Sequence, residues 1–272
     1  VLHVRGVPSV RSVWRICARL ADLIVAVSEG VRDKIARAAL DERKVVCVYN
    51  PVDTSSLPQP IEGEAREALR RRLGIEEGHF ALGYVGVVGP KKRQLEFLER
   101  AAIPACLEEP QLGLYFLGRP DGRCPEYFRE CLRLVERAGL SERIKFLGHR
   151  NDVWDWYLAL DAVVLASKFE GLPRSLIEAM AVGRPVICTD NVAPRMLLER
   201  EETRRWVVRD GDWEGLRRAL VEASRDARAM AEGGRASREM VAKRLDIERI
   251  AAEVEEAYLA LLGRNRLRRP KE

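Results

Sequence analysis

Short β-branched runs alternate with longer segments of helical periodicity along most of this chain. The runs Leu23–Val27 (LIVAV) and Val45–Tyr49 (VVCVY) predict buried strands, and Ser28 is a predicted N-cap for a helix over residues 29–39. Strands that alternate with helices usually form a parallel sheet with helices on its faces. The pattern therefore predicts an α/β fold with a doubly wound, mainly parallel sheet, whose ligand site lies at the carboxyl ends of the strands.

A stretch with three prolines and two serines, Asn50–Glu62, has no apolar periodicity and predicts a linker. We place the domain boundary there, with a short first region over residues 1–50 and a larger domain over residues 51–272. In the larger domain, strands are predicted at 80–85, 112–117, 143–147, 162–166, 185–188 and 206–208, and helices near 92–103, 123–138, 151–159, 174–182 and 194–200. A helical hairpin with a break at Gly233–Gly234 is predicted from Asp212 to about Leu262.

The composition is that of a folded, water-compatible protein, with 47% hydrophobic and 33% charged residues and a net charge of +5. The basic run Arg264–Lys271 leaves two interpretations open, a solvated tail or a peripheral contact with anionic lipid. The six cysteines include no C-x-x-C and indicate reduced thiols in place of a disulfide framework or zinc site. Without a signal peptide or a membrane-length apolar run, we expect a cytoplasmic protein, either free or peripheral at the inner face of the membrane.

The loop between the predicted strand at 162–166 and the helix at 174–182 contains two carboxylates, Glu170 and Glu178, around the turn Gly171–Leu172–Pro173. A strand, a tight turn and a helix N-terminus bring free backbone N–H groups to the ligand edge of a sheet. Spacing alone leaves two interpretations open. Both carboxylates bind hydroxyl groups of one ligand, or Glu170 interacts with the helix dipole while Glu178 lies on a solvated face.

A second loop, Gly83–Arg93, follows the first strand of the larger domain and combines glycines with the basic run Lys91–Lys92–Arg93. Glycines permit close backbone approach, and basic side chains can neutralise a diphosphate. The same composition also occurs in ordinary exposed loops. The loop matches neither G-x-G-x-x-G nor the P-loop pattern, which counts against a dinucleotide dehydrogenase or a P-loop NTPase.

Other residues with possible chemistry have simpler explanations. Asp210-Gly211-Asp212 spells D-x-D but follows the last predicted strand, so we expect a turn with Asp212 as N-cap and no metal requirement. Trp154, Trp156 and Tyr157 beside Arg150 are better explained by packing of an amphipathic helix than by nucleic-acid stacking, and no nucleic-acid partner is expected.

The segment EGLPRSLIEAMAVGRPVICTD, from Glu170 to Asp190, resembles family 4 of the retaining GT-B glycosyltransferases, which includes glycogen synthases and mannosyltransferases. Those proteins carry E-x7-E followed by a helix and a strand close to EAMA-x-G-x-PV-x-x-TD. Segments that agree in the same order are DLIVAVSEGVRDKI (22–35), VYNPVD (48–53), IKFLGHRNDVWDWY (144–157) and DGDWEGLRRAL (210–220). The resemblance covers nearly the whole chain.

The resemblance implies a Rossmann-like GT-B donor domain, with residues 1–50 as a remnant of the N-terminal domain. It implies that Glu178 binds the ribose of a nucleotide-sugar donor and that Glu170 faces the transferred sugar. Lys92, next to Gly86, would contact the diphosphate with the amides near Gly171 and Leu172. The loop at His149 and Arg150 would border the base.

Two departures from the family stand out. Family members often carry Arg where this chain has Val87, and Arg93 or Lys91 are candidates to replace that charge. The region before Asp22 is also short, and we expect that roughly a hundred residues of an ordinary N-terminal domain are absent.

The resulting hypothesis is a glycosyltransferase that moves a sugar from a nucleoside diphosphate sugar to an acceptor hydroxyl with retention of configuration, without a cofactor. The acceptor class is a sugar, a lipid or a polysaccharide. Two alternatives remain: a catalytically silent nucleotide-sugar-binding or interaction module, and a nucleotide-sugar epimerase, which would require the E-x7-E match to be accidental.

Overall fold

The computed structural model describes residues 1–5, 11–36, 41–193 and 195–267. The strands are β1 (Leu2–Val4), β2 (Ile24–Ala26), β3 (Val45–Cys47), β4 (Phe80–Val85), β5 (Leu112–Leu117), β6 (Ile144–Phe146), β7 (Ala162–Leu165), β8 (Val186–Thr189) and β9 (Val207–Val208). The helices are α1 (Arg11–Leu20), α2 (Glu29–Ala36), α3 (Gly63–Leu73), α4 (Gln94–Phe97), α5 (Ile103–Glu108), α6 (Pro125–Arg137), α7 (Val153–Ala159), α8 (Arg174–Ala181), α9 (Glu201–Arg204), α10 (Trp213–Arg225), α11 (Ala227–Arg244) and α12 (Ile247–Leu267). A π-helical turn, Leu98–Ala102, joins α4 to α5.

The chain divides into two compact units. Unit 1 contains Val1–Ser55, Glu170–Leu172 and Val241–Glu272, and unit 2 contains Ser56–Phe169 and Pro173–Met240. The division at Ser55 lies a few residues beyond the boundary expected at residue 50. Helix α12 groups with unit 1, whereas the sequence interpretation assigned it to the larger domain.

Unit 1 is built on a three-stranded parallel sheet of order β1-β2-β3. Ser28 caps α2 as predicted, because its Oγ accepts a hydrogen bond from the Val31 amide at 3.2 Å. The predicted extension of this helix to residue 39 lies outside the described residues. Helix α12 contributes Ile250 to an apolar cluster with Leu23, Val25 and Val48. Burial of these side chains holds α12 to the sheet.

Unit 2 contains a six-stranded parallel sheet of order β6-β5-β4-β7-β8-β9, and it confirms the predicted doubly wound α/β fold. The central strands are fully buried, as Leu82, Leu114 and Val163 illustrate with 0% exposure. All six strands predicted for this domain are present, with ends that differ by at most one residue. Their continuous β-branched and aromatic runs are typical of parallel strands covered on both faces.

Two helical predictions for this unit need correction. Helix α11 passes through Gly233–Gly234, where a break was predicted, and the helices instead separate at Asp226 and at 245–246. A Cβ on Gly234 would overlap the carbonyl oxygen of Gly183, so these glycines permit close packing of a continuous helix. The second correction concerns 194–200, which forms a 3₁₀ turn at Arg195–Leu198, while Pro194 lies outside the described residues.

Among the described residues, four of the named strands and helices were not predicted: β1, α1, α3 and α9. Helix α3 is rich in arginine and glutamate and buries only Arg70 fully, so its apolar periodicity is weak. Within the described ranges, no helix combines the length and apolar character that crossing a membrane requires.

Candidate functional site

The order of the sheet in unit 2 identifies where a ligand is expected. The chain runs from β4 outward to β5 and β6, then returns to the other side of β4 and continues through β7, β8 and β9. The direction of winding therefore reverses between β4 and β7. In doubly wound sheets, ligands bind at the carboxyl ends of the strands on either side of this reversal.

Three glycines line this edge, one after each of the strands β4, β5 and β6. Gly86 and Gly118 have φ angles of 149° and 152°, which side chains rarely adopt. A Cβ on Gly118 would overlap the backbone of Gly86, and the Gly118 amide donates to the carbonyl oxygen of Gly148 at 2.7 Å. The strand ends therefore approach one another closely and expose backbone to any ligand at this edge.

Lys92 extends across Gly86. Its Cε and Nζ lie 3.2 Å and 3.3 Å from the position that a Cβ on Gly86 would occupy. The backbone of Lys92 is held from both sides, because its amide donates to Gly89 O at 2.9 Å and its carbonyl accepts a hydrogen bond from the Tyr84 hydroxyl. A cation is thus positioned at the carboxyl end of β4, as a diphosphate site requires.

Glu178 is the acidic group that the structure positions on α8. Its Oε2 accepts a hydrogen bond from the hydroxyl of Tyr157 at 2.9 Å, and its Oε1 lies 3.1 Å from Nη2 of Arg174. Tyr157 is fully buried at 0% exposure. Burial, together with the charge of Glu178, raises the pKa of the Tyr157 phenol well above its ordinary value. The carboxylate is consequently fixed from the protein interior, and the Glu178 side chain remains 22% exposed.

Hydrogen bonds join the loops that follow β4, β7 and β8. The Lys168 amide donates to Lys91 O at 2.9 Å, and the Ala166 amide donates to the Tyr84 hydroxyl at 3.3 Å. The Asn191 side-chain amide donates to Ser167 O at 3.1 Å and to Lys168 O at 2.9 Å. The loops on both sides of the reversal therefore form one connected surface.

His149 and Arg150 follow β6 and are both exposed. The Arg150 guanidinium is held by Asp152 through hydrogen bonds of 2.8 Å and 2.5 Å. These residues lie at the same carboxyl edge as Gly86 and Lys92, on the outermost strand of that side of the sheet.

The segment Glu170–Leu172 groups with unit 1. The carbonyl oxygen of Gly171 accepts a hydrogen bond from Ser28 Oγ at 2.6 Å, and a Cβ on Gly171 would overlap the carbonyl oxygen of Arg5. Glu170 is half-buried and Leu172 is 9% exposed. Glycine is therefore needed in this turn, because the backbone of Arg5 leaves no room for a side chain.

The two aspartates of the D-x-D segment have separate structural partners. Asp212 Oδ1 accepts from the Gly215 amide at 2.8 Å, which confirms its predicted role as N-cap of α10. Asp210 Oδ1 accepts from Nη1 of Arg93 at 2.6 Å. Arg93 was a candidate to replace the charge lost at Val87, but this ion pair directs its guanidinium to Asp210.

A cavity of about 480 Å³ lies in unit 1. It lies between the sheet and α12, and its lining is mainly apolar, including Val25, Val27, Val48, Ile250 and Val254. None of the predicted site residues lines it.

Sequence reasoning did not identify Tyr84 as a residue that organises this edge. It also missed the hydrogen bond that Tyr157 donates to Glu178. Packing of Trp156 and Tyr157 was predicted correctly, since both are buried. The contact of Tyr157 with Glu178 depends on how α7 and α8 face each other, which their periodicity does not specify. The sequence did contain a signal for Gly118 and Gly148, because a glycine directly follows each of three successive predicted strands.

The sheet order, the glycine-lined strand ends and the lysine beside them define a doubly wound α/β domain with a candidate ligand site at the carboxyl edge of its sheet. The sequence matches the family described as Glycosyl transferases group 1 over residues 79–226, which is more than half of the chain. This protein belongs to that family.

Similar proteins agree with this assignment. The lipopolysaccharide core biosynthesis mannosyltransferase LpsB of Rhizobium meliloti (strain 1021) is 30% identical over 173 residues, which cover 63% of this chain and 46% of LpsB. The N-acetyl-alpha-D-glucosaminyl L-malate synthase of Bacillus anthracis is 24% identical over 255 residues, 94% of this chain and 64% of that enzyme. The chain thus spans only about half to two thirds of the length of these relatives.

The fold is shared with solved glycosyltransferase structures of the GT-B type. A crystal structure of Anabaena HepE in complex with UDP superposes with a TM-score of 0.84 and 23% sequence identity, covering 95% of this chain and 71% of HepE. The identity is low, so the likeness concerns the fold.

Proposed function

We propose that this protein acts in the transfer of a sugar from a nucleoside diphosphate sugar to an acceptor hydroxyl, with retention of the anomeric configuration. The observation that carries the proposal is the Lys92 ammonium, which extends across Gly86 at the carboxyl end of β4. It provides positive charge at the point where the sheet reverses its winding, beside exposed backbone. That combination suits a diphosphate.

Other residues of the proposed site would bind the ribose, the sugar and the base of the donor. Glu178 accepts hydrogen bonds from ribose hydroxyls, because a carboxylate is an acceptor with two oxygens. For Glu170, Gly171 and Leu172 we propose the roles that the family resemblance implies: Glu170 faces the transferred sugar, and the two backbone amides contact the diphosphate. His149 and Arg150 border the base at the exposed rim.

The chemistry in this proposal is electrostatic. Negative charge grows on the diphosphate as its bond to the sugar breaks, and a preorganised cation such as Lys92 stabilises that charge most in the transition state. The Lys92 backbone is anchored at this strand end, because its amide donates to Gly89 O and its carbonyl accepts from the Tyr84 hydroxyl. We assign no nucleophile and require no metal or cofactor.

The relatives suggest the kind of molecules involved. HepE was crystallised with UDP, and LpsB is named for lipopolysaccharide core synthesis. We therefore propose a nucleotide sugar as donor and a sugar, lipid or polysaccharide as acceptor. We also propose a cytoplasmic location with peripheral contact at the inner face of the membrane. A lipid acceptor would place the reaction there, and the basic sequence Arg264–Lys271 suits contact with anionic lipid. The side chains of that sequence lie outside the described part of the structure.

Calorimetric titration with UDP, GDP and ADP tests donor binding. For the nucleotide that binds most tightly, we expect Lys92→Ala to weaken binding about tenfold or more, since a hydrogen bond to a charged group contributes about 1.5–3 kcal/mol. Lys145→Ala is the matched control, because it removes the same charge from a partly exposed lysine on β6 that has no proposed role at the diphosphate. Equal losses in both variants would reduce the role of Lys92 to general electrostatics, and no binding of any nucleotide by the wild type would overturn the proposal.

A silent nucleotide-sugar-binding module is the second candidate, favoured by one observation. Val87 stands where family members often carry arginine, its side chain is 41% exposed, and Arg93 is paired with Asp210. Release of nucleoside diphosphate from UDP-glucose and GDP-mannose, followed with and without sugar acceptors, separates the candidates. Turnover above the level of Lys92→Ala would reject the silent module, and nucleotide binding without turnover would support it.

A further inference from the structure

The hydrogen bond between Tyr157 and Glu178 links a fully buried phenol to a partly exposed carboxylate. Tyr157 lies on α7 and Glu178 on α8, and the hydroxyl is 2.9 Å from Oε2. Tyr157 is fully buried on α7, and its ring centroid lies 5.6 Å from that of Trp154. The donor is therefore immobile, whereas a glutamate side chain alone has three rotatable bonds.

We propose that Tyr157 is a positioning residue that holds Glu178 so that its Oε1 accepts a hydrogen bond from a ribose hydroxyl of the nucleotide. This inference rests on the proposed function, because it assumes that Glu178 binds ribose. It adds the residue that orients the carboxylate and identifies which oxygen meets the ligand.

The two carboxylate oxygens of Glu178 have different surroundings. Oε2 faces the buried phenol, while Oε1 is paired with Arg174, whose side chain is 82% exposed. An ion pair with so exposed an arginine contributes little free energy, about 0.3–0.5 kcal/mol for an i,i+4 pair on a helix. A ligand hydroxyl can therefore displace Arg174 from Oε1, whereas the contact at Oε2 persists.

The Tyr157 hydroxyl remains protonated, and therefore a hydrogen-bond donor, over the whole pH range in which the protein is handled. Burial and the adjacent carboxylate raise the pKa of Tyr157 far above 10, so the hydroxyl keeps its proton when Glu178 is ionised. Without that hydroxyl, Oε2 would lose its donor at the edge of the core, and the carboxylate would rotate away from its binding orientation. The loss would affect recognition of ribose hydroxyls more than recognition of the base or the diphosphate.

The experiment compares two ligands in calorimetric titrations: the nucleoside diphosphate that binds the wild type best, and its 2′,3′-dideoxy analogue. The wild type should prefer the natural nucleotide. Tyr157→Phe should weaken binding of the natural nucleotide about three- to tenfold and leave the dideoxy analogue unchanged. Glu178→Ala should abolish the preference, and adding Tyr157→Phe to Glu178→Ala should change nothing further.

Two other variants complete the test. Tyr127→Phe is the matched control, since the Tyr127 hydroxyl also contacts a carboxylate, Glu96 at 3.3 Å, on another part of unit 2. It should leave the ratio of the two affinities unchanged. Arg174→Ala should keep or slightly increase affinity for the natural nucleotide, because it removes the competitor for Oε1.

The outcomes are distinguishable. Equal weakening of both ligands by Tyr157→Phe, with a fall in melting temperature, would make Tyr157 a purely structural residue and overturn the inference. A large loss on Arg174→Ala would overturn the assignment of Oε1. If the wild type binds nucleoside diphosphate but shows no preference for the ribose hydroxyls, the ribose role of Glu178 in the proposed function fails instead.

Discussion

The guanidinium of Arg93 donates a 2.6 Å hydrogen bond to Oδ1 of Asp210, joining the loop after β4 to the loop after β9. The Asp210 amide in turn donates to Oδ1 of Asp190 at 2.8 Å, so the aspartate is held by both its side chain and its backbone. Within the described residues, no group of three His, Cys, Asp or Glu is arranged to hold a metal ion. The D-x-D segment therefore has a structural use in this fold.

The first prediction is that nucleotide binding does not depend on a divalent metal at Asp212. Asp212→Asn retains a good N-cap for α10 but removes a negative charge that a metal would require. We expect calorimetric affinity for nucleoside diphosphate to be unchanged in this variant, both with MgCl₂ and with EDTA. Loss of binding in EDTA together with loss in Asp212→Asn would contradict the prediction.

The second prediction concerns a charge cluster that stabilises unit 2. Asp161 accepts hydrogen bonds from Arg66 at 2.7 Å, Arg70 at 2.9 Å and the Ala81 amide at 2.7 Å, and the Arg70 side chain is only 4% exposed. Asp161→Asn removes the nearer of the two carboxylates beside that buried cation and leaves only Glu67, at 3.7 Å and largely exposed. We expect the free energy of unfolding, measured by urea denaturation, to fall by about 3 kcal/mol.

Asp155→Asn provides the control for this measurement. Asp155 pairs with Arg72, but both side chains are largely exposed, at 41% and 65%. Its effect should stay below about 1 kcal/mol. Similar losses in the two variants would mean that burial does not determine the strength of the Asp161 cluster.

The sequence predicted the elements of unit 2 more accurately than the contacts between them. Most of its strands were identified because they are continuous apolar runs, which is the composition of parallel strands covered on both faces, whereas β6 contains Lys145. The order of the sheet and the position of its reversal then determine which loops meet. Lys92 and Gly86 were assigned to one loop because both follow the same strand, and in the structure the Lys92 side chain extends across Gly86.

Side-chain pairing between helices was beyond the reach of the sequence. Tyr157 and Glu178 are 21 residues apart, and their contact depends on how α7 and α8 are rotated. The same limit applies to Arg93 and Asp210, which lie 117 residues apart. Spacing alone could not distinguish ligand-binding carboxylates from surface charges, and it could not identify which basic residue already had an acidic partner.

The third prediction concerns the reactivity of the free cysteines. Burial raises the pKa of Cys106, Cys131 and Cys188 to about 12, so their thiols are almost entirely protonated near pH 8 and are shielded from reagents. Cys17 is exposed on α1. We expect iodoacetamide at pH 8 to modify Cys17 first in the native protein, and mass spectrometry of peptides over time checks the order.

Cys17→Ser should remove the fastest phase of this modification, while the three buried cysteines should react only after denaturation. Rapid native-state modification of Cys188 would contradict the prediction, because this residue is 0% exposed on β8.

The last prediction uses two glycines that lie inside helices but in different surroundings. Gly263 on α12 is exposed, and a Cβ added there would have no atom within 4 Å. Gly234 on α11 packs against the Gly183 carbonyl, and an added Cβ would overlap that oxygen. Alanine is favoured over glycine in a helix by about 1 kcal/mol. Propensity alone therefore predicts that both Gly→Ala variants are stabilised.

Packing predicts opposite results. Gly263→Ala should raise the free energy of unfolding by up to about 1 kcal/mol. Gly234→Ala should lower it by about 1–3 kcal/mol, because the backbone of the Gly183 turn must move away from α11. Thermal denaturation followed by circular dichroism measures both. A stabilising effect of Gly234→Ala would show that α11 does not need to approach the Gly183 turn closely. Gly234 would then have no role in packing α11 against the rest of unit 2.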